Sequence, residues 1–370
     1  MKSNRLFGIA CALALAAGSQ AQAADLLIGV VGPMTGQYAA FGDQMRRGAE
    51  LAVENINKQG GINGQAVKLE VGDDACDPKQ AVAVANQLVT KHVVAVIGHY
   101  CSGSSIPASA VYNDAGILQI TPASTNPALT EDAAKKGWNN VFRVCGRDDK
   151  QGVVAGNFIN DRFHDKRIAI LHDKSAYGKG LADETKKQIN SKGIKEVSYD
   201  AINAGEKDYT SLITRLKGDR IELVYIGGYH PDVGLIIRQA REQGYMAQFM
   251  SGDANATDEL GGIAGPAADG FLFTFGPDAR KNPAAKSTVE QFTAKGFDPE
   301  GYTLYTVAAL QVYSTAANAT KSTKVDVLSK QIKAGTFKTV IGDLSYDEKG
   351  DVKDPKYLIY VWKNGKYAEL

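Results

Sequence analysis

The chain has 370 residues, 44% of them hydrophobic, with a formal net charge of +1. That composition is globular and excludes a disordered chain. Near-neutral charge excludes nucleic acid and anionic membrane as partners, and the length is too great for one hydrophobic core, so two domains are expected.

Residues 1–23 read as a secretory signal peptide: Lys2 and Arg5 form the charged start, Leu6 to Ala17 the apolar stretch, and Ala21-Gln22-Ala23 the cleavage site. Cys11 does not make a lipidation signal, because Gly8 stands where a lipobox wants Leu. The mature chain is expected to be exported and soluble, since no later run is apolar enough to span a bilayer. Loss of Lys2 and Arg5 takes the formal charge from +1 to −1.

Leu26 to Val31 is a short continuous apolar run, the mark of a parallel strand buried on both faces. A helix follows, with Ala49, Ala52, Val53 and Ile56 on one face, ended by Gly60 to Gly64. Val67 to Val71 is the second strand. Pro78 opens a helix whose apolar face is Ala81, Val84, Ala85 and Leu88. Strands over Val93 to Ile97 and Ile117 to Ile120 complete a βαβαβαβ run, which predicts a doubly wound parallel sheet. The pattern restarts at Arg167 to Leu171, continues through a helix ending near Gly193, and adds strand candidates in "KEVSYD", "IELVYIGG" and "AQFMSGD". A second sheet of the same kind is expected. Helices near 286–296, 301–316 and 325–334 follow, then extended segments with a turn at Asn364-Gly365.

Ligands in open α/β sheets bind beyond the carboxyl ends of strands, where helix N-termini point. Tyr100-Cys101-Ser102-Gly103 and Thr121 to Pro127 both follow apolar strands and precede helices. Their hydroxyls and backbone N–H groups suit a carboxylate or phosphate; Ser102 and Thr125 equally suit helix caps or turn bridges. Tyr177, Tyr229 and Asp253 stand at the corresponding edge of the second sheet. No nucleophile elbow, zinc motif or phosphate loop is present, so neither catalysis nor a cofactor is expected. Cys76 and Cys101 each follow a strand. In a βαβ unit those strands can be neighbours, so both loops emerge at one sheet edge and the sulfurs come within bonding reach. Cys145 is then the leftover thiol.

The blocks "GDDACDPKQAVAVANQLV", "VIGHYCSGSSIPAS", "GILQITPASTNPALT", "HDKSAYGKGLA", "INAGEKDYTSLITRLK", "GGYHPD", "IRQAREQG" and "YDEKGD" make the chain resemble, over nearly all its mature length, the periplasmic leucine/isoleucine/valine-binding proteins of amino-acid ABC importers. The resemblance implies two Rossmann-like α/β lobes joined by a three-segment hinge, with 24–146 plus 277–355 in the first lobe and 147–276 plus 356–370 in the second. It implies a monomer in the periplasm that binds a free amino acid and delivers it to an inner-membrane ABC permease, or serves a sensory receptor in the same way. Ser102 and Thr125 match the hydroxyls that take the α-carboxylate, and Ala123 a carbonyl that takes the α-ammonium. Asp253 matches the acidic partner of the ammonium. Tyr177 and Tyr229 match second-lobe walls and Phe41 an aromatic position in the first. Cys76 and Cys101 match the family's disulfide.

Three positions depart from the best-known leucine-binding members. Asp253 replaces Glu, Tyr100 replaces Leu and Tyr302 replaces Phe. With Cys101 between Tyr100 and Ser102, these residues shape the side-chain pocket. The added bulk leads us to expect smaller neutral amino acids to compete with leucine.

Overall fold

The computed structural model describes residues 25–370, so the signal-peptide reading lies outside the described residues. The first sheet is built from β1 (Leu26–Gly32), β2 (Val67–Asp73), β3 (Ala95–Gly98), β4 (Leu118–Thr121) and β5 (Val141–Arg143). Helices α1 (Ala39–Lys58), α2 (Pro78–Thr90), α3 (Ser102–Ala115) and α4 (Ala128–Lys135) alternate with them. The second opens with α5 (Asp148–Phe163) and contains β6 (Ile168–His172), β7 (Ser198–Ala201), β8 (Leu223–Gly227), β9 (Gln248–Ser251) and β10 (Leu272–Phe275), with α6 (Ala176–Ser191), α7 (Thr210–Gly218), α8 (His230–Glu242) and α9 (Asp258–Ala264) between. The chain continues through α10 (Lys286–Ala294), α11 (Thr303–Thr320), α12 (Val325–Ala334) and a hairpin of β11 (Thr336–Thr339) and β12 (Gly342–Ser345), then ends in β13 (Leu358–Lys363) and β14 (Lys366–Glu369).

The strand order β2-β1-β3-β4-β5 is all parallel. The order β14-β13-β10-β9-β8-β6-β7 is parallel from β10 to β7, with β13 and β14 added antiparallel. The parallel part of each sheet therefore reverses direction at its first strand, between β1 and β3 and between β6 and β8. In such sheets the crevice at that reversal is where ligands sit. The central strands are buried on both faces: β3, β4, β6 and β8 expose no side chain. Helix α11 packs on α1 and reaches β3 and β4, which assigns it to the first sheet.

Several sequence expectations are corrected here. The second sheet is not the plain parallel copy expected, because the carboxyl-terminal hairpin extends it. Asn364 and Gly365 have φ of 53° and 77° and join Lys363 to Lys366 as a two-residue turn, matching the strand twist. Strands β5 and β10 were not anticipated; β5 has three residues, too few to show a period. Strand β3 starts at Ala95, two residues late, because His92 at φ 57° turns the chain and the Val93 N–H still bonds to the Leu88 carbonyl of the preceding helix.

The strands before Cys76 and Cys101 are not neighbours, since β1 lies between β2 and β3. Both loops nonetheless leave the same sheet edge, and Cys76 is bonded to Cys101 across 5.5 Å between Cα atoms. Cys145 is free and buried. Among the described residues no helix is long and apolar enough to cross a membrane.

Closing a loop with a sequence separation of 25 is expected to stabilise the chain by about 3–4 kcal/mol in the chain-entropy account. The double substitution Cys76→Ser with Cys101→Ser should lower unfolding stability by that amount in a denaturant titration. Thiol counting on unreduced, denatured mature protein should find a single reactive group.

Candidate functional site

The loop after β3 carries one half of the site. Gly98 has φ of 140°, and a Cβ there would stand 2.3 Å from the Val31 carbonyl oxygen, so only glycine lets the chain leave the sheet this way. His99 is fully buried; its Nδ1 lies 2.6 Å from Asp74 Oδ2 and its Nε2 2.9 Å from Tyr112 Oη. Its carbonyl accepts from Thr121 Oγ1 at 2.7 Å, Ser124 Oγ at 3.2 Å and Ser105 Oγ at 3.3 Å. The loop is thus held by its neighbours before Tyr100 and Ser102 are reached. Ser102 is the first residue of α3, and the preceding Cys101 gives no side-chain cap. The first N–H groups of a helix have no partner within it, so this end presents donors and the positive end of the dipole.

The loop after β4 meets it. The Asn126 N–H donates to Ser102 Oγ at 3.2 Å. Thr121 Oγ1 accepts from the Ala123 and Ser124 N–H groups at 3.2 and 2.9 Å, while the Ala123 carbonyl accepts no hydrogen bond among the described residues. Arg143, fully buried, donates from Nη1 to the Ser124 carbonyl at 2.6 Å and from Nη2 to the Asn126 carbonyl at 3.1 Å. The residue between those carbonyls is Thr125, whose hydroxyl is buried beside Asp148. Arg143 Nε faces Asp351 Oδ1 at 2.7 Å, and Arg147 Nη1 reaches Asp351 Oδ2 at 2.6 Å.

The other half comes from the second sheet. Asp253 follows β9 and is 2% exposed. Its Oδ1 accepts from Tyr177 Oη at 2.8 Å and from Gln151 Nε2 at 2.7 Å. Its Oδ2 accepts from Tyr302 Oη, and Tyr302 stands at the head of α11 on the first sheet. One carboxylate therefore joins groups from both lobes. Burial pushes Asp253 up to about 6, against the hydrogen bonds from Tyr302 and Tyr177, which lower it.

Aromatic rings line the space between. Phe41 stacks on Tyr100 with centroids 4.4 Å apart, and Tyr100 meets Tyr302 edge-on at 5.4 Å. Tyr229 lies 5.0 Å from Tyr177 and 4.6 Å from Tyr38. Tyr302 finds an acceptor for its hydroxyl in Asp253, whereas the Tyr100 hydroxyl has no hydrogen bond among the described residues. Burial raises the phenol pKa of Tyr100, Tyr177, Tyr229 and Tyr302 well above the usual value, so all four remain neutral.

All ten site residues expected from the sequence, Phe41, Tyr100, Cys101, Ser102, Ala123, Thr125, Tyr177, Tyr229, Asp253 and Tyr302, are buried and lie on the loops and helix ends that meet between the sheets. Cys101 is spent in the disulfide. Sequence reading missed Tyr38, Arg143, Asp148, Gln151 and His230, which packs edge-on against Phe41 at 5.1 Å. The available signal was "RDDKQ", where Asp148 and Gln151 fall three apart at a helix start and so share a face.

At the mouth of the cleft is a cavity of about 550 Å³ bordered by Asp43, Gln44, Asp258, Glu259, Asp298 and Glu300. Glu300, ahead of α11, accepts from the Thr257 hydroxyl at 3.1 Å and the Asp258 N–H at 2.9 Å, at the N-terminus of α9. It also accepts from Gln44 Nε2 at 3.3 Å, and so clasps the two lobes together. Burial first, and then the charge of Asp258, push Glu300 up to about 7.

Two doubly wound lobes with facing loops define a two-lobed binding protein. Residues 26–366 match the family model described as periplasmic binding protein, and the chain belongs to that family. It is 50% identical over 366 residues to the Leu/Ile/Val-binding protein homolog 1 of Brucella suis biovar 1 (strain 1330), covering 99% of this chain and 97% of the relative. It is 42% identical over 363 residues to the leucine-, isoleucine-, valine-, threonine- and alanine-binding protein of Pseudomonas aeruginosa, covering 97% and 96%. The solved branched-chain amino acid transporter substrate-binding protein LivJ of Streptococcus pneumoniae, in complex with isoleucine, superposes with a TM-score of 0.84 at 26% identity, covering 93% of this chain and 98% of that one.

Removing one partner of a buried ion pair leaves the other charge uncompensated, at about 3–5 kcal/mol. Asp351→Asn should therefore lower unfolding stability by that order in a urea titration. A loss under 1 kcal/mol would show that Arg143 does not depend on it.

Proposed function

We propose that the protein binds a free neutral aliphatic amino acid between its lobes and delivers it to an inner-membrane ABC permease. The observation that carries this reading is the opposition of a donor end and an acceptor end across the cleft. Ser102, Thr125 and the uncapped start of α3 suit an α-carboxylate. Asp253 and the Ala123 carbonyl suit an α-ammonium. No residue is assigned to catalysis. The names of the Brucella and Pseudomonas relatives and the isoleucine bound to the Streptococcus protein support a branched-chain or similar ligand. The chain acts as an exported monomer, cleaved after Ala23. Its lobes divide near 146, 276 and 355, where three crossings border a cavity of about 350 Å³ that includes Val144, Pro277 and Pro355.

A second reading concerns size. Tyr100 and Tyr302 meet edge-on beside Phe41 and fill volume that a leucine side chain would use. The Tyr100 hydroxyl has no hydrogen-bond partner among the described residues, and an aliphatic side chain offers it none. Alanine, threonine or valine then compete well with leucine, as the name of the Pseudomonas relative allows for that protein.

Calorimetric titration of ligand-free protein with L-alanine, L-valine and L-leucine tests both readings. Binding of any of the three supports the amino-acid reading. Leucine a hundredfold tighter than the others defeats the size argument. Ser102→Ala should weaken every amino acid that binds by about 1–3 kcal/mol, the worth of a charged hydrogen bond. Covalent labelling of Ser102 by a serine-hydrolase probe would contradict its role as a carboxylate donor.

A further inference from the structure

The segment Glu300-Gly301-Tyr302 leads into α11 and lies against the second lobe at the mouth of the cleft. Gly301 has φ of 52°, and a Cβ there would stand 2.7 Å from the Ala256 carbonyl oxygen and 2.5 Å from Gln44 Oε1. Only glycine lets the two segments approach this closely. Gln44 of α1 accepts from the Tyr302 N–H at 2.9 Å and donates from Nε2 to Glu300 at 3.3 Å, so α1 fixes the segment from behind. Glu300 then reaches across to the Asp258 N–H and the Thr257 hydroxyl. A side chain carried by the first lobe thereby caps a helix of the second.

The surroundings of that carboxylate are acidic. Asp258 and Glu259 of α9, Asp43 of α1 and Asp298 of the preceding loop border the same cavity. The cations nearby are committed to other carboxylates. Arg46 and Arg47 hold Asp43 at 2.5 and 2.6 Å. Arg280 holds Asp278 at 2.9 Å and Asp298 at 2.8 Å. His230 of α8 faces Glu259 at 2.9 Å. Tyr367 of β14 lies against the Arg280 guanidinium, and burial raises its phenol well above the usual value, so it stays neutral. Glu300 itself forms no ion pair among the described residues.

Meeting of the lobes therefore takes Glu300 out of water and sets it beside Asp258, against donors that compensate only in part. Burial and the Asp258 charge push it up to about 7, and the Asp258 N–H, the Thr257 hydroxyl and Arg280 oppose them with smaller effects. With the lobes apart these neighbours are gone, and Glu300 titrates in the usual carboxylate range, near about 4.3. The closed form then holds the proton more tightly than the open form. Closure gains as pH falls through about 7 towards that range, and is weakest above it.

We propose that Glu300 is a proton-operated latch between the lobes: it sets amino-acid affinity through closure without touching the ligand, and its neutral form closes the cleft more firmly than its ionised form. This rests on the amino-acid reading above and adds a positioning residue at the mouth of the cleft.

The test is titration of L-valine and L-alanine into wild type and Glu300→Gln at pH 5.5 and pH 8. Free amino acids stay zwitterionic over that range, so the ligand does not titrate. Asp253 and Asp173 are each pushed up to about 6 by burial, so the quantity that counts is the difference between the two proteins. Glu300→Gln keeps the shape and cannot ionise. From pH 8 to pH 5.5 the affinity of wild type should rise at least threefold more than that of the variant. A contact with only a structural role would shift both pH values alike. An excess below threefold, or a steeper rise in the variant, overturns the proposal. Should Glu300→Gln fail to melt cooperatively, Glu300→Ala, equally unable to titrate, is held to the same threshold. If wild type binds neither amino acid, the functional reading falls, and the latch is read from small-angle scattering of ligand-free protein. The radius of gyration should then shrink from pH 8 to pH 5.5 more in wild type than in the variant, and an equal change overturns the latch.

Discussion

A single buried carboxylate takes hydrogen bonds from both lobes. Asp253 is supplied by the second lobe, yet one of its three hydrogen-bond donors, Tyr302, belongs to the first. A carboxylate so placed carries a desolvation penalty that only donors or a cation offset. Gln151 and Tyr177 provide two of them from the same lobe, and the lobes must meet to add the third, Tyr302. The aromatic contacts across the cleft, such as Tyr38 on Tyr229, add apolar area to the same closure. The Glu300 clasp at the mouth and the Asn126 Nδ2 bond to the Ala176 carbonyl at 2.6 Å act at its two edges.

The side proposed to bind the carboxylate follows a different logic. It needs donors that do not move, because a helix end and two hydroxyls recognise an anion only when their positions are fixed in advance. The disulfide holds Cys101 from one side, and the Asp74–His99–Tyr112 chain holds the residue before Tyr100 from beneath. Arg143 holds the carbonyls on both sides of Thr125. Through Asp351 the same arginine reaches the segment that leads into the third crossing. The loop proposed to hold the ligand and the segment around Asp351 therefore share one buried charge network.

Much of this was legible in the sequence wherever chemistry is local. Apolar runs bounded by Gly and Pro marked most of the parallel strands, and hydroxyls just past them marked the loops. The two Tyr and the Asp at the second edge were visible for the same reason. What was not legible depends on partners far apart in the chain. Gln151 reaches Asp253 across 102 residues. The place of β1 between β2 and β3 is a property of the sheet, so the disulfide could be expected while the reason given for it was incomplete. The Tyr100 and Tyr302 substitutions signalled added bulk, but only the fold shows that one hydroxyl finds Asp253 and the other finds no acceptor.

The central claim is that a ligand bridging the two lobes holds them closed. Small-angle scattering on ligand-free mature protein, before and after saturating L-valine, measures this directly. The account predicts a smaller radius of gyration with the amino acid than without it. An unchanged radius, with binding verified in the same sample, would contradict it and place the site within one lobe.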